Sequence, residues 1–443
     1  MRSAVGRALA PLASRLGIRS LPSGVGLGLG AGLGPAAPGQ HLLEAAASAA
    51  AECGRLCCGS DCKPVPPLPI EAILTAEQLI RHWGYPSEEH HIQTEDGYIL
   101  TMHRIPWGRT GRGAPGAEAD RPVVLLQHGI LQASDQWLLR GPEHDLVLML
   151  ADQGYDVWLG NFRGNVYSRK HVSLTTKHDK FWDYSWHENG FYDLAAEMDY
   201  VLGVSGQPSL HYIGHSMATT ALLVLLSTRP EYNSRVRQAS LLAPVAYFQH
   251  PRGLLSTALA FGKKLEPELR DSHIEVLPFG TVPLGLMNGL CHQGAATRPL
   301  CVAGYMQVAG PDRKQLNETL FTTLLAHLPA GGSIGQIVHY EQVYKTGKFR
   351  RKDHGVRGNT QRYGRSQPPS YNLTNIVAPI IFYYSTGDYL SNAKDVERLI
   401  SEVPSTAAVY KVPHKDFNHG DYLWAVDSYE LLYKTILKTM REF

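Results

Sequence analysis

The sequence predicts an α/β fold with a mostly parallel central sheet and helices on both of its faces. Short apolar runs suited to buried strands alternate with helical segments up to about residue 246. A further apolar run, 376–384, follows near the C-terminus. The chain has 443 residues, of which 44% are hydrophobic. That is enough to bury one large core and to carry an insertion.

The predicted elements follow one another in the order that such a sheet requires. Residues 71–106 hold a short helix and a pair of strands that lead into the core. The strands and the helix that follow are assigned to 121–127 (strand), 210–214 (strand), 219–226 (helix), 241–246 (strand) and 376–384 (strand). We therefore predict that 71–246 form the first part of the core and 372–443 the second.

About 125 residues separate the last two of these strands, far more than an ordinary connection needs. This excess, residues 247–371, predicts a mainly helical cap that contains apolar runs such as 254–261. Since it follows the strand next to 210–214 in the chain, we expect it to cover the C-terminal edge of the sheet. Two forms are open: a mobile lid over an apolar groove, or a rigid structural cap.

One serine lies where a predicted strand turns sharply into an apolar helix. The stretch 210–218 places Ser216 in that turn, as a nucleophile elbow does. Gly214 fits the G-x-S-x-G pattern, whereas Ala218 replaces its second glycine. A serine hydroxyl needs such an exposed turn and a general base to act as a nucleophile.

An acid and a histidine follow Ser216 in the order that α/β-hydrolases use. Asp388 comes directly after the strand 376–384, where an acid that orients an imidazole is expected. His419 lies about thirty residues further on, in a loop that opens the last helical segment. The sequence therefore predicts Ser216 as nucleophile, His419 as general base and then acid, and Asp388 as the residue that stabilises its charge.

Acyl transfer also requires two main-chain N–H groups directed at the developing oxyanion. One is expected from Met217, directly after the nucleophile, and the other from Ile130, in the loop after strand 121–127. These two residues are the predicted oxyanion hole.

With these residues identified, the chain resembles the acid lipase family, the group that contains gastric and lysosomal acid lipases. The similarity runs from about residue 70 to the C-terminus and is carried by 95–100, 128–131, 154–161, 163–165, 167–171, 181–186, 242–246, 327–331, 367–372 and 417–425. The resemblance implies an α/β-hydrolase fold with an inserted cap and lid, and hydrolysis of neutral lipid esters. It places the nucleophile, acid and base on the three residues predicted above. Met217 stands where the family usually has glutamine.

The leading hypothesis is a serine carboxylester lipase that acts on triacylglycerol, cholesteryl ester or both. The alternative is a non-catalytic lipid-binding protein whose elbow is impaired by Ala218. No cofactor and no metal are expected in the reaction.

The composition of the chain limits the classes of partner that it can bind. The formal net charge is +2, which gives no basis for nucleic-acid binding. No stretch has the roughly eighteen uninterrupted apolar residues of a membrane span. We therefore expect a lipid ester at a droplet or membrane surface as substrate, with peripheral membrane contact only.

Residues 1–70 differ in composition from the rest of the chain. The first 43 carry four arginines and no acidic residue, as mitochondrial transit peptides do, although a long secretory signal fits about as well. Cys53, Cys57, Cys58 and Cys62 follow, in a spacing that is not a standard zinc pattern. We interpret 1–70 as a disordered or processed leader.

Two further features favour the secretory pathway, secreted or lysosomal, over mitochondrial targeting. Cys291 and Cys301 lie ten residues apart in the predicted cap, and a disulfide between them would suit an oxidising compartment. The resemblance supports this pairing, since the family has a cysteine pair in a similar place. Asn317 and Asn372 each begin a triplet that accepts N-linked glycans.

Overall fold

The computed structural model describes residues 65–109, 111, 121–262 and 269–443, all within one unit that spans 46–443. Their strands are β1 (Glu88–Gln93), β2 (Tyr98–Ile105), β3 (Val123–Gln127), β4 (Asp156–Leu159), β5 (Lys170–His171), β6 (Leu210–His215), β7 (Val236–Leu242), β8 (Glu275–Val276), β9 (Gly332–Ser333), β10 (Ile380–Tyr384) and β11 (Thr406–Lys411). Of the leader predicted over 1–70, residues 1–64, with the four cysteines, lie outside the described residues. Within 65–70, the carbonyl of Pro66 accepts a hydrogen bond from the side chain of Asn288 and Leu68 packs beside Met287, so this end of the predicted leader contacts the folded chain.

Nine of these strands form one mixed sheet. Their order is β1-β2-β4-β3-β6-β7-β10-β11, with β5 beside β2. Along this order, the strands β4, β3, β6, β7, β10 and β11 pair parallel with one another, whereas β2 pairs antiparallel with β1, β4 and β5. The predicted fold class, an α/β-hydrolase fold with a mostly parallel sheet, is thereby confirmed.

The central strands are buried on both faces, which is why they read as unbroken apolar runs in the sequence. Successive side chains enter opposite cores. On β4 and β6, Trp158 and Tyr212 belong to one hydrophobic cluster, whereas Val157 and Ile213 belong to the other. Every residue of β3, β4, β6 and β10 is buried. The sheet therefore separates two cores and gives the site a rigid base.

Helices cover both faces of this sheet and fill the chain between β7 and β10. Those of the described core are Ala76–His82, Leu146–Asp152, Trp186–Glu188, Ala195–Ser205, Met217–Thr228, Ala393–Glu402, Asp421–Trp424 and Lys434–Met440. Short 3-10 or π turns occupy Ile70–Ala72, Ser134–Trp137, Asp179–Trp182, Asn189–Leu194, Pro230–Arg235, Leu373–Asn375 and Tyr429–Tyr433. No helix in the described ranges is long and apolar enough to cross a membrane.

Two predicted strand boundaries are wrong. The strand assigned to 241–246 is β7, which ends at Leu242 because Ala243 has a φ of 49° and turns the chain away. The strand assigned to 376–384 begins only at Ile380. Before it, the side chain of Asn233 accepts hydrogen bonds from two main-chain N–H groups, those of Val377 and Ala378, and holds them out of the ladder.

The chain between β7 and β10 is mainly helical where it is described. Its helices are Gly253–Gly262, Leu284–Cys291, Arg298–Ala309, Phe321–Ala326, Ile334–Thr346 and Gly355–Tyr363. β8 and β9 add a separate two-stranded sheet. We refer to residues 247–371 as the insertion, with the boundaries predicted from the sequence.

Candidate active site

Ser216 occupies a sharp turn between β6 and the helix Met217–Thr228. Its φ of 57° and ψ of −119° are unfavourable for a residue with a side chain, and such strain is concentrated at functional sites. Gly214 allows the helix to approach, since a Cβ there would lie 2.7 Å from the ring of Tyr212 and 3.2 Å from the main chain of Ala218. The elbow thus forms with alanine at position 218.

The three residues of the predicted triad lie in one hydrogen-bonded chain. The hydroxyl of Ser216 donates to Nε2 of His419 at 2.8 Å. Nδ1–H of His419 donates to the carboxylate of Asp388, with distances of 2.8 and 3.0 Å to its two oxygens. This is the geometry by which an imidazole removes a proton from a serine while an acid fixes its tautomer.

The carboxylate of Asp388 is fully buried and held by its own loop. Its Oδ1 accepts hydrogen bonds from the main-chain N–H groups of Leu390 and Ser391, each at 2.8 Å. The hydroxyl of Ser391 donates in turn to the carbonyl of Pro244, which follows β7. The acid therefore cannot rotate away from His419 without breaking these bonds.

The two predicted oxyanion donors flank Ser216. Gly129 lies so close that a Cβ there would be 3.0 Å from the Cβ of Ser216. Among the described residues, the main-chain N–H groups of Ile130 and Met217 have no main-chain acceptor, and Met217 begins its helix. Both N–H groups are therefore free to bind an oxyanion beside the nucleophile.

His128 fixes the loop that carries Ile130. Its Nε2 accepts a hydrogen bond from the main-chain N–H of Phe162 at 3.1 Å, so its Nδ1–H donates to the carbonyl of Gly129 at 2.8 Å. Burial lowers the pKa of His128 to about 4. A neutral ring with this tautomer suits both contacts.

His215 contacts the base loop from within the elbow. Its Nε2–H donates to the main-chain carbonyl of His419 at 3.0 Å, and its ring lies 4.9 Å from that of His419. Burial and the neighbouring imidazole of His419 hold the pKa of His215 well below its usual value. The ring is therefore neutral and adds no charge beside the base.

An apolar cavity of about 210 Å³ reaches Ser216. Its walls come from both the core and the insertion: Ile130, Leu131, Val245, Phe248, Leu255, Leu259, Val308, Ile337, Tyr340 and Leu390. An apolar space of this kind is suited to a hydrocarbon chain.

A buried ion cluster braces the loop after β4. The guanidinium of Arg163 donates to Asp96 at 2.6 and 2.8 Å and to Asp193 at 2.7 Å. It also lies 3.9 Å from the ring centre of Tyr98. Arg163 and Asp193 thus hold the loop near the oxyanion residues.

The other predicted residues lie apart from this centre. Cys291 and Cys301 form a disulfide within the insertion. Asn372 is exposed and Asn317 is partly exposed, and each side chain accepts hydrogen bonds from the threonine of its own triplet. The described residues hold no cluster of histidine, cysteine, aspartate or glutamate suited to a metal ion.

Sequence reasoning missed two contacts of His419. In the first, the ring of His215 donates a hydrogen bond to the carbonyl of His419. In the second, the main-chain N–H of His419 donates to the carbonyl of Ala309 at 3.0 Å. A main-chain carbonyl leaves no trace in residue type, so nothing in the sequence indicates the second contact.

Two family models match the chain. Residues 76–141 match a partial alpha/beta-hydrolase lipase region, and residues 122–276 match the alpha/beta hydrolase fold. Together they cover β1 to β8 and thus the oxyanion loop and the elbow.

Curated relatives match over most of the chain. Lipase 1 of Drosophila melanogaster is 39% identical over 374 residues, which are 84% of this chain and 80% of that protein. Gastric triacylglycerol lipase of Homo sapiens is 35% identical over 373 residues, with coverage of 84% and 92%. A crystal structure from Sulfolobus solfataricus, described as a candidate lipase, covers 80% of this chain and 94% of its own at 14% identity, with a TM-score of 0.53.

Proposed function

Because the chain belongs to the acid lipase family of α/β-hydrolases, we propose that it is a serine carboxylester lipase. It hydrolyses neutral lipid esters, triacylglycerol, cholesteryl ester or both, to free fatty acids. One observation carries this proposal: the apolar cavity ends at Ser216, whose hydroxyl is hydrogen-bonded to His419 and through it to Asp388.

The geometry supports a two-step reaction. Ser216 Oγ attacks the ester carbonyl while Nε2 of His419 takes its proton, and Asp388 stabilises the imidazolium. The N–H groups of Ile130 and Met217 bind the oxyanion. Collapse of the tetrahedral intermediate breaks the bond to the alcohol, which leaves with the proton from His419.

The second step releases the fatty acid. Water attacks the acyl-enzyme while His419 again acts as general base, and the serine leaves with the proton. The acyl chain stays in the cavity through both steps, so its alkyl length contributes to binding of the transition state.

We further propose that the enzyme meets its substrate at a lipid surface. Among the described residues, nine large apolar side chains of the insertion are exposed: Leu254, Leu277, Phe279, Val282, Leu286, Leu290, Leu300, Val308 and Val356. Such an accumulation on one segment is typical of a surface that contacts lipid. A lid that opens there would connect the lipid phase with the cavity.

We also propose the secretory pathway as the location, with the enzyme secreted or lysosomal. The disulfide between Cys291 and Cys301 and the accessible Asn372 are compatible with an oxidising, glycosylating compartment. Treatment of the expressed protein with a glycosidase that removes N-linked glycans tests this location. No change in mass would contradict it.

Covalent labelling by a fluorophosphonate probe tests the mechanism. We expect the wild type to be labelled at Ser216 and the Ser216→Ala variant not at all. A panel of triacylglycerol, cholesteryl ester and short p-nitrophenyl esters, at acidic and neutral pH, then defines the substrate. Absence of both labelling and hydrolysis would refute the proposal and leave a lipid-binding protein.

A further inference from the structure

The insertion contacts the catalytic residues through the end of one of its helices. The carbonyl of Ala309, the last residue of the helix Arg298–Ala309, accepts the main-chain N–H of His419 at 3.0 Å and that of Tyr389 at 3.2 Å. Tyr389 follows Asp388 directly. One carbonyl therefore binds the base loop and the acid loop together.

The next residue extends this junction. The carbonyl of Gly310 accepts a hydrogen bond from the side chain of Asn418 at 3.2 Å. Gly310 has a φ of +122°, and a Cβ built on it would lie 2.4 Å from the carbonyl of Gly387 and 3.0 Å from the Cβ of Asn418. Only glycine allows the helix end to approach both loops this closely.

The main chain of His419 is thus held on two sides. Its carbonyl accepts from His215 of the elbow, and its N–H donates to Ala309 of the insertion. Because the peptide groups on both sides of the Cα are fixed, the direction of the imidazole depends on both elements.

The same helix end also has an electrostatic effect. A helix carries about half a negative charge at its C-terminus. The helix Arg298–Ala309 has twelve residues, and this end lies against the main chain of the residue that becomes positively charged in the transition state. The insertion therefore favours that charge as well as the orientation of the ring.

We propose that the helix Arg298–Ala309 is a positioning element for the catalytic reaction, and that Ala309 and Gly310 set the orientation of His419 and Asp388. This inference rests on the proposed function. It also limits the lid: a segment that opens must leave 298–310 in place, because its removal would release the base.

The variant Gly310→Ala tests the proposal. Its methyl group must widen a 2.4 Å contact to beyond 3.0 Å, which moves the helix end away from the two loops. Since a misplacement of about 1 Å costs up to roughly 100-fold in rate, we expect labelling of Ser216 by the phosphonate to slow by about 10- to 100-fold.

Gly304→Ala is the matched control. It lies on the same helix, is exposed and has open space at its Cβ position. We expect its labelling rate to equal that of the wild type. Labelling is measured from pH 4 to pH 9, and Gly310→Ala, unlike Gly304→Ala, should shift the pH of half-maximal labelling. A merely structural effect would lower the melting temperature without this shift.

Gly253→Ala provides a second displacement of the same helix end. Its Cβ would lie 2.2 Å from the carbonyl of Gln307 and 2.7 Å from the ring of Tyr389, so it presses on both sides of the contact between Ala309 and the acid loop. We expect slower labelling and the same direction of pH shift as in Gly310→Ala. This variant decides the question if Gly310→Ala does not fold.

The outcomes separate this inference from the proposed function. If the wild type is labelled and both displaced variants label at its rate when folded, the helix does not position the base and the inference is wrong. If the wild type itself is not labelled at Ser216, the proposed function fails instead.

Discussion

The volume of the cavity predicts how activity depends on acyl-chain length. At about 30 Å³ for a group the size of a water molecule or a methylene, the cavity of about 210 Å³ holds about seven such groups. With the carbonyl carbon at Ser216, this corresponds to an acyl chain of about eight carbons. Each buried methylene contributes about 0.8 kcal/mol, which is about fourfold in kcat/KM.

We therefore expect kcat/KM for soluble p-nitrophenyl esters to rise about fourfold for each methylene added to the acyl chain, and to level off near the octanoate. The variant Leu255→Trp places an indole ring in the cavity wall. The rise of kcat/KM with chain length should then level off at a shorter acyl chain. Leu254→Trp is the matched control, because Leu254 is the neighbouring residue on the same helix, is 57% exposed and does not line the cavity.

The assay is initial-rate hydrolysis of esters from acetate to decanoate, each below its micelle concentration. A flat dependence on chain length in the wild type would show that the acyl chain does not enter this cavity. An equal change of plateau in both tryptophan variants would show that Leu255 is not part of the wall during catalysis.

Three other predictions address the triad, the buried ion cluster and a buried carboxyl group. Ser216→Ala and Asp388→Asn should each lower kcat for ester hydrolysis by about 10⁴-fold or more. The double variant should lose little further activity, because the residues act as a unit, and additive losses would contradict this. Arg163→Met should lower the free energy of unfolding by about 3–5 kcal/mol, because the fully buried Asp193 and the partly exposed Asp96 both lose their cation. Arg81→Ala, which breaks an exposed pair with Glu77, should cost less than about 1 kcal/mol, and equal losses in urea titrations would refute this expectation. Burial raises the pKa of Asp145 to about 7, so its protonation stabilises the fold below about pH 4 and this contribution is lost as the pH rises through 7. Asp145→Asn keeps the acceptor for two main-chain N–H groups but carries no charge. The melting temperature of this variant, relative to that of the wild type, should therefore be higher at pH 8 than at pH 4.5. A difference that does not change with pH would show that Asp145 does not titrate in this range.

The sequence predicts the parts of the site that depend on residue type and order. Ser216, Asp388 and His419 are indicated because each directly follows a recognisable strand or lies in a loop after one. The loop of Ile130 is found in the same way. These residues meet in the structure because parallel strands bring their C-terminal ends to one edge of the sheet.

Features that depend on tertiary contacts are missed. The strand β11 (Thr406–Lys411) is mostly exposed at the edge of the sheet, so it lacks the apolar run of the buried strands. The early end of β7 at Ala243 depends on a backbone angle that alanine does not signal. The contact of Ala309 with His419 is made by a carbonyl that every residue possesses.

The hydrogen bond between Ser216 and His419 spans 203 positions of the chain. Translation proceeds from the N-terminus, so the nucleophile and most of the cavity wall leave the ribosome long before the base does. On the proposed mechanism and in the proposed secretory pathway, the nascent chain is therefore inert towards the lipids of the membrane beside which it is synthesised. Any product that terminates before residue 419 is equally inert, and hydrolysis begins only after His419 has left the ribosome and docked on Ser216.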